Sequence, residues 1–219
     1  MRAIAILDYG MGNLRSVQKA LQHVGHDAEI VDDARGVEDA ARLILPGVGN
    51  FADGMRQLQR RGLINPIQAF ADSGRPMMGV CLGMQLLFDS STEDAPQEAP
   101  IAGLGLIAGR VVRFRENQGQ DQPRLKVPHM GWNTIQFTQT GAALGERLPD
   151  DPHVYFVHGY YCRPSDEKNI AANTTYGVTE AATFCSAVHC GNLWATQFHP
   201  EKSQAVGLQL LDNFARWSA

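Results

Sequence analysis

The chain has 219 residues, 44% hydrophobic and 19% charged, with a formal net charge of −4. That length and apolar content support a real buried core in one domain, at most two, and the acidic balance lacks the basic footprint of a nucleic-acid binder. The four cysteines, Cys81, Cys162, Cys185 and Cys190, show no paired C-x-x-C spacing, so neither zinc nor a disulfide framework is expected.

The first apolar run, Ala3 to Leu7, is too short for a signal peptide or a membrane span and reads as a buried strand. It ends in the glycine-rich turn Asp8-Tyr9-Gly10-Met11-Gly12, after which Asn13 is placed to cap a helix. Val17, Ala20, Leu21 and Val24 follow at helical spacing, and Gly25 stops them. Ala28 to Val31 is a second strand. Arg42 to Leu45 is a third, closed by Pro46-Gly47-Val48-Gly49. Helical patterns cover 51–60 and 63–72; Met77 to Val80 is a strand running into Cys81, and 82–88 is helical again. Strands alternating with helices predict a mostly parallel sheet flanked by helices.

The polar stretch Asp89 to Pro100 reads as a surface loop. Beyond Leu104 the texture changes: 110–114, 133–137, 154–158, 170–174, 186–189 and 193–198 read as strands with little helix between them. They predict an antiparallel β layer added to the α/β core in the C-terminal half. Glu116 to Arg124 is expected to be a mobile loop, and 204–217 a closing amphipathic helix. One domain over 1–219, with no metal, no cofactor and no membrane contact, in the cytoplasm, is the organisation expected.

Gly79-Val80-Cys81-Leu82-Gly83 has the form of a nucleophile elbow, a strand reversing into a helix within a residue or two. Small neighbours let the two elements approach. The turn exposes the sulfur at the carboxyl end of the sheet, where open α/β folds bind ligands, and at a helix N-terminus, whose partial positive charge favours a thiolate. Such a thiolate needs a base to handle its proton. Pro200 biases His199 toward an extended backbone, and in extended chain residues i and i+2 point the same way, so His199 and Glu201 can share one side of a strand end. A carboxylate beside an imidazole fixes its tautomer and supports its charge. Pro46-Gly47-Val48-Gly49 ends another strand; its backbone N–H groups, with that of Leu82, suit a tetrahedral oxyanion. Taken singly, a packed core cysteine, a surface His-Pro-Glu turn and a plain tight turn account for the three pieces. Together they supply nucleophile, base, acid and oxyanion donors.

In order and separation, PGVG at 46–49, GVCLGMQLL at 79–87 and FHPEKS at 198–203 resemble the class I (triad-type) glutamine amidotransferases along essentially the whole chain. DYGMGNLRSV (8–17), KVPHMGWN (126–133) and YFVHGYY (155–161) narrow the resemblance to the glutaminase subunits of histidine biosynthesis. The resemblance implies that Cys81 attacks the carboxamide of L-glutamine, that His199, oriented by Glu201, protonates the departing ammonia, and that a thioester is then hydrolysed to glutamate. It implies oxyanion or substrate contacts at Gly47, Val48, Gly49, Leu82, Gln85, His158, Gly159 and Tyr160. The residue after that histidine is commonly serine or threonine in the family, and here it is Gly159. Ammonia would pass to a separate (β/α)8-barrel cyclase subunit, a heterodimer partner that resemblance places against Met130, Trp132, Tyr155 and Lys202. Without the resemblance, Trp132 reads as a core residue and His129 as structural. Three other readings stay open: the glutaminase of another synthase such as pyridoxal phosphate synthase, a stand-alone cysteine hydrolase, and a non-catalytic subunit. The 126–133 and 155–161 motifs weigh against the first, Gln85 with the His-Pro-Glu motif against the second, and the intact triad against the third.

Overall fold

The structure, a computed structural model, describes residues 4–95, 99–114, 125–177 and 182–218. The loop expected over Glu116 to Arg124 lies outside the described residues. Strand β1 (Ile4–Leu7) is buried along its whole length. Helix α1 (Leu14–His23) follows; Asn13 stands at its N-cap position, although its side chain makes no capping bond. Next come β2 (Ala28–Val31) and α2 (Ala34–Asp39). No sequence pattern marked α2, but it has a cap: Gly36 N–H donates to Asp33 Oδ1 at 2.8 Å. Strand β3 (Arg42–Gly47) continues through Pro46 and Gly47, further than the apolar run suggested. Helix α3 (Phe51–Arg60) is capped by Asn50, and α4 (Ile64–Asp72) leads into β4 (Met77–Cys81).

Helix α5 (Leu82–Leu86) is shorter than the 82–88 pattern implied, and β5 (Phe88–Ser91) starts two residues later. The cause is long-range. Leu104 N–H donates to Leu86 O, Leu106 and Ile107 N–H both reach Leu87 O, and Phe88 is registered with Ile107, so the chain at 87–88 pairs with a distant segment in place of another helical turn. Part of the expected loop at 89–100 is therefore strand. The rest of the chain forms β6 (Ile101–Ala102), β7 (Ile107–Arg113), β8 (His129–Thr134), β9 (Gln136–Phe137), β10 (His153–His158), β11 (Tyr160–Pro164), β12 (Ile170–Tyr176), β13 (Ala182–Cys190), β14 (Leu193–Thr196) and α6 (Gln204–Arg216). Sequence reading missed β6 and β11 and ran the strand at 193–198 two residues too long.

One sheet runs β2-β1-β3-β4-β14-β13-β11-β7-β5-β6, with β12 and β9 branching from β13. The five strands from β2 to β14 are parallel, and β13, β11 and β7 continue them antiparallel. The added antiparallel strands are thus hydrogen-bonded to the parallel core. Strands β8 and β10 form a separate two-stranded ribbon. Side chains alternate between the faces of the core strands: Leu7, Leu43, Leu45 and Met77 pack with Phe51, Leu58 and Phe70 on one side. Ile4, Ile6, Ile44 and Met78 pack with Leu21, Leu210 and Phe214 on the other. Two-sided burial explains why these strands read as continuous apolar runs. The carboxyl ends of β3, β4 and β14 then lie side by side, since Gly47 is registered with Cys81 and Thr196 with Val80. Among the described residues no helix is long and apolar enough to cross a membrane.

Candidate active site

Cys81 ends β4 with φ 54° and ψ −108°, outside the allowed basins of an L-residue, a conformation costing about 1–3 kcal/mol. The two bracketing glycines enforce it. A Cβ on Gly79 would meet the Met84 backbone at 2.9 Å, and one on Gly83 would run into the Leu45 carbonyl oxygen. Strand β4, helix α5 and strand β3 approach too closely for any side chain at either place.

His199 and Glu201 follow β14 into the turn Pro200–Lys202, and both side chains are buried. His199 Nδ1 lies 2.8 Å from Glu201 Oε1, so Nδ1 carries a proton donated to the carboxylate. Nε2 makes no hydrogen bond among the described residues and lies within electrostatic reach of the Cys81 thiol. Burial works against a charged ring, but Cys81 and Glu201 outweigh it and raise His199 to about 10. Its backbone is held from the ribbon: His199 N–H donates to Tyr155 O at 3.0 Å, while Ser203 Oγ donates to His199 O at 2.6 Å and accepts from Tyr155 N–H at 3.0 Å.

Cys81 and His199 open onto a cleft of about 170 Å³. Of the residues expected there, Val48, Gly49, Leu82, Gln85, His158, Gly159 and Tyr160 all line it. Gly47 is not part of the lining: a Cβ there would run into the Tyr9 hydroxyl and Leu82 Cβ, so its bare backbone lets β3 pack against these residues. Gln85 Nε2 donates to Tyr160 O and to Gln197 Oε1, both at 3.2 Å, which leaves its own carbonyl oxygen free for a ligand. Both ring nitrogens of His158 are engaged, one with Tyr160 O at 2.7 Å and one with His129 at 3.2 Å, and it offers a ligand only its ring edge. Gly159 has room for a side chain: a Cβ there would meet only Val127 Cγ1, at 3.5 Å.

Two residues were missed. Glu93 is the one carboxylate lining the cleft among the described residues, and its Oε2 accepts from Phe51 N–H at 2.8 Å. Burial foremost raises its carboxyl above the usual range. It sits in a run of acids with no spacing to mark it. Gln197 is fully buried with Nε2 3.8 Å from Cys81 Sγ, and its position two residues before His199 on an extended chain was a usable signal.

Outside the cleft, the ribbon presents Met130 and Trp132, 63% and 47% exposed. Trp132 is registered with Tyr155, their rings 6.0 Å apart, and Lys202 Nζ stands 5.8 Å above the Tyr155 ring. Trp132 is not in the core because it lies on the outer face of the ribbon, whose inner face carries the buried His129, Val154 and Phe156.

Residues 5–217 match the family model of glutamine amidotransferase class-I. The chain belongs to that family. It is thereby an enzyme of the glutamine amidotransferase class. Among its curated relatives is the imidazole glycerol phosphate synthase subunit HisH of Geobacter sulfurreducens, 49% identical over 214 residues, covering 98% of each chain. The subunit of the same name from Syntrophotalea carbinolica is 50% identical over 211 residues, 96% of this chain and 98% of the relative. Among solved structures, PurLQS from Thermotoga maritima superposes with TM-score 0.71 at 18% identity over 98% of both chains. A crystal structure of a glutamine amidotransferase gives 0.69 at 18% identity over 97% of this chain and 99% of that one. These two likenesses establish the shared fold.

Proposed function

We propose that this chain is the glutaminase subunit of an imidazole glycerol phosphate synthase, one cytoplasmic domain over 1–219. It releases ammonia from L-glutamine for a (β/α)8-barrel cyclase that makes imidazole glycerol phosphate and AICAR. The observation that carries the chemistry is the buried Cys81, His199 and Glu201 set at the mouth of a cleft with one carboxylate. The relatives' shared name supports the assignment to that synthase.

The geometry supports the following steps. The Cys81 sulfur attacks the carboxamide carbon of glutamine while the imidazolium of His199 stands beside it. The carbonyl electrons move to oxygen, and the backbone N–H groups near Val48 and at Leu82 receive the oxyanion. The Leu82 N–H, in the first turn of α5, needs no intrahelical partner. As the tetrahedral centre collapses, the C–N bond breaks, Nε2 gives its proton to the leaving nitrogen, and ammonia departs. A γ-glutamyl thioester remains. Water then attacks it, Nε2 takes the water's proton, the C–S bond breaks, and glutamate leaves with the Cys81–His199 pair restored. Glu201 keeps Nδ1 protonated throughout. Glu93 suits the α-ammonium of the substrate, whose positive charge relieves a half-buried carboxylate. The Gln85 oxygen suits a substrate N–H. Ammonia is a nucleophile only while unprotonated, so a partner docked over Met130, Trp132, Tyr155 and Lys202 would shield it from water.

The test is glutamate release from glutamine by the chain alone and by its complex with the barrel cyclase and that subunit's nucleotide substrate. The expected result is slow release alone, a large rise in the liganded complex, and none with Cys81→Ala. Fast release indifferent to the cyclase would overturn the assignment to this synthase; no release by any form would overturn the glutaminase reading.

A further inference from the structure

The ribbon strand β8 has two faces. Met130 and Trp132 point to the surface, while His129 and Asn133 lie on the inner side. The Asn133 side chain is pinned at both ends. Its Oδ1 accepts from Thr134 N–H at 2.8 Å, so Nδ2 faces the other way and donates to Thr175 O at 3.0 Å and to His129 Nε2 at 3.4 Å. An amide N–H facing Nε2 requires a lone pair there, which puts the His129 proton on Nδ1. Register pairs His129 directly with His158, and His129 Nδ1 lies 3.2 Å from His158 Nε2. That nitrogen must then accept, so the His158 proton sits on Nδ1 and is donated to Tyr160 O at 2.7 Å.

The reverse assignment sets two N–H groups against each other at Asn133 and aims a ring lone pair at the Tyr160 carbonyl oxygen. Double protonation is opposed by burial, which holds His129 down to about 4 and His158 to about 3. The His129 ring is further clamped between Phe156 and Tyr176, centroids 4.6 and 3.9 Å away. One tautomer sequence is left, and it continues past the histidines. Tyr160 O also receives Gln85 Nε2, whose second N–H goes to Gln197 Oε1, which turns the Gln197 amide nitrogen toward Cys81 Sγ. Six side chains and one carbonyl thus form a continuous hydrogen-bonded path from the ribbon to the nucleophile, in which Tyr160 O accepts from both sides.

Resting on the glutaminase reading above, we propose that His129 is a positioning residue for that reaction. Oriented by Asn133, it donates to His158 Nε2 and holds that ring in place, and thereby the alignment of Tyr160 O, Gln85, Gln197 and Cys81, while the Tyr160 carbonyl, which only accepts, fixes the His158 tautomer. His129 does not line the cleft, so its effect reaches the reaction only through these neighbours. Because it shares a strand with Met130 and Trp132, the path also links the exposed ribbon face to the sulfur.

The experiment measures glutamate release by the complex with the liganded barrel subunit, for wild type, His129→Phe and His129→Asn. It is paired with nitrogen-15 imidazole shifts of histidine-labelled chain. Phenylalanine keeps a ring in the clamp but has no nitrogen; asparagine places an amide near the position of Nδ1. His129→Phe is expected to lower kcat about tenfold or more with KM within about threefold, and His129→Asn to regain most of the loss. The wild-type spectrum should show His158 protonated at Nδ1 with its Nε2 shifted as a hydrogen-bond acceptor, and His129→Phe an Nε2 shifted toward the value of a free lone pair. A kcat unchanged in His129→Phe, or a wild-type His158 protonated at Nε2, overturns the relay. Absence of release by wild type would instead overturn the glutaminase reading, while the spectrum still judges the relay. Should His129→Phe fail to fold, Asn133→Ala takes its place, with the same loss of kcat and a displaced His129 Nε2 shift expected, and no change in either overturning the proposal.

Discussion

At the scale of single residues, charge placement decides the behaviour of the cleft. Glu93 accepts one hydrogen bond from Phe51 N–H, while burial foremost raises its carboxyl above the ordinary value, so an ammonium-bearing ligand would favour its charged form. Glu93→Gln retains an acceptor for Phe51 and removes only the charge. It is expected to raise KM for glutamine about ten- to a hundredfold, with kcat little changed, the worth of a charge-assisted hydrogen bond. Steady-state kinetics of the complex check this. His199 carries the second charge. Its folded value, about 10, lies above the ordinary 6.5, so its contribution to stability is complete below pH 6.5 and is lost as pH rises through about 10. The urea midpoint of wild type relative to His199→Gln should therefore be steady near pH 6 and fall progressively toward pH 10. A difference independent of pH over that window would contradict the ion pair.

At the scale of elements, α6 is tied down at a single carboxylate. Asp212, 8% exposed, accepts from Arg216 Nε at 2.7 Å and Arg147 Nη2 at 3.1 Å, and lies 2.8 Å from His26 Nε2. Beside it, Asn213 Nδ2 donates to Leu144 O and Glu146 O, both at 2.8 Å. These bonds join α6, the turn at 144–147 and the segment after α1. Asp212→Ala strands several donors at once. It is expected to destabilise the protein by about 1–3 kcal/mol, discounted because both arginines are half exposed. Burial opposes the Asp212 charge, but Arg216 and His26 outweigh it and hold the carboxyl below its ordinary 3.8. That contribution is complete above pH 3.8 and lost as pH falls through the lower folded value. Denaturant titrations should show the gap between wild type and variant persisting at neutral pH and closing only in acid.

At the scale of the whole molecule, the ribbon is the joint between surface and site. It presents Trp132 and Met130 outward, holds His199 through the Tyr155 carbonyl, and carries the His129 and His158 pair on its inner face. An exposed aromatic set against Tyr155 and Lys202 has the character of an interface anchor. Trp132→Ala is expected to raise the Kd for the barrel subunit about thirtyfold or more while leaving the Tm of the isolated chain nearly unchanged. Titration calorimetry and thermal melts separate the two effects; a fall in Tm with Kd unchanged would return Trp132 to a structural role.

What the sequence determined by itself is what depends on neighbouring residues. Periodicity located β1, α1, α3 and β4 almost to the residue, because two-sided burial and amphipathic spacing are local patterns. The glycines around Cys81 and the i, i+2 relation of His199 and Glu201 were legible for the same reason, and marked them as candidates for nucleophile and base. What only the tertiary structure decided depends on pairing between distant segments. Helix α5 ends early because the chain from Leu87 on pairs with the segment at 104–107. Glu93 enters the cleft because Phe51 N–H holds it there, although nothing in its polar surroundings distinguishes it from its acidic neighbours. His129 reads as structural until the β8–β10 register sets it against His158. A residue's bonding partners, and hence its tautomer and charge, are fixed by strand register, and register follows from burial summed over whole elements, which no local stretch encodes.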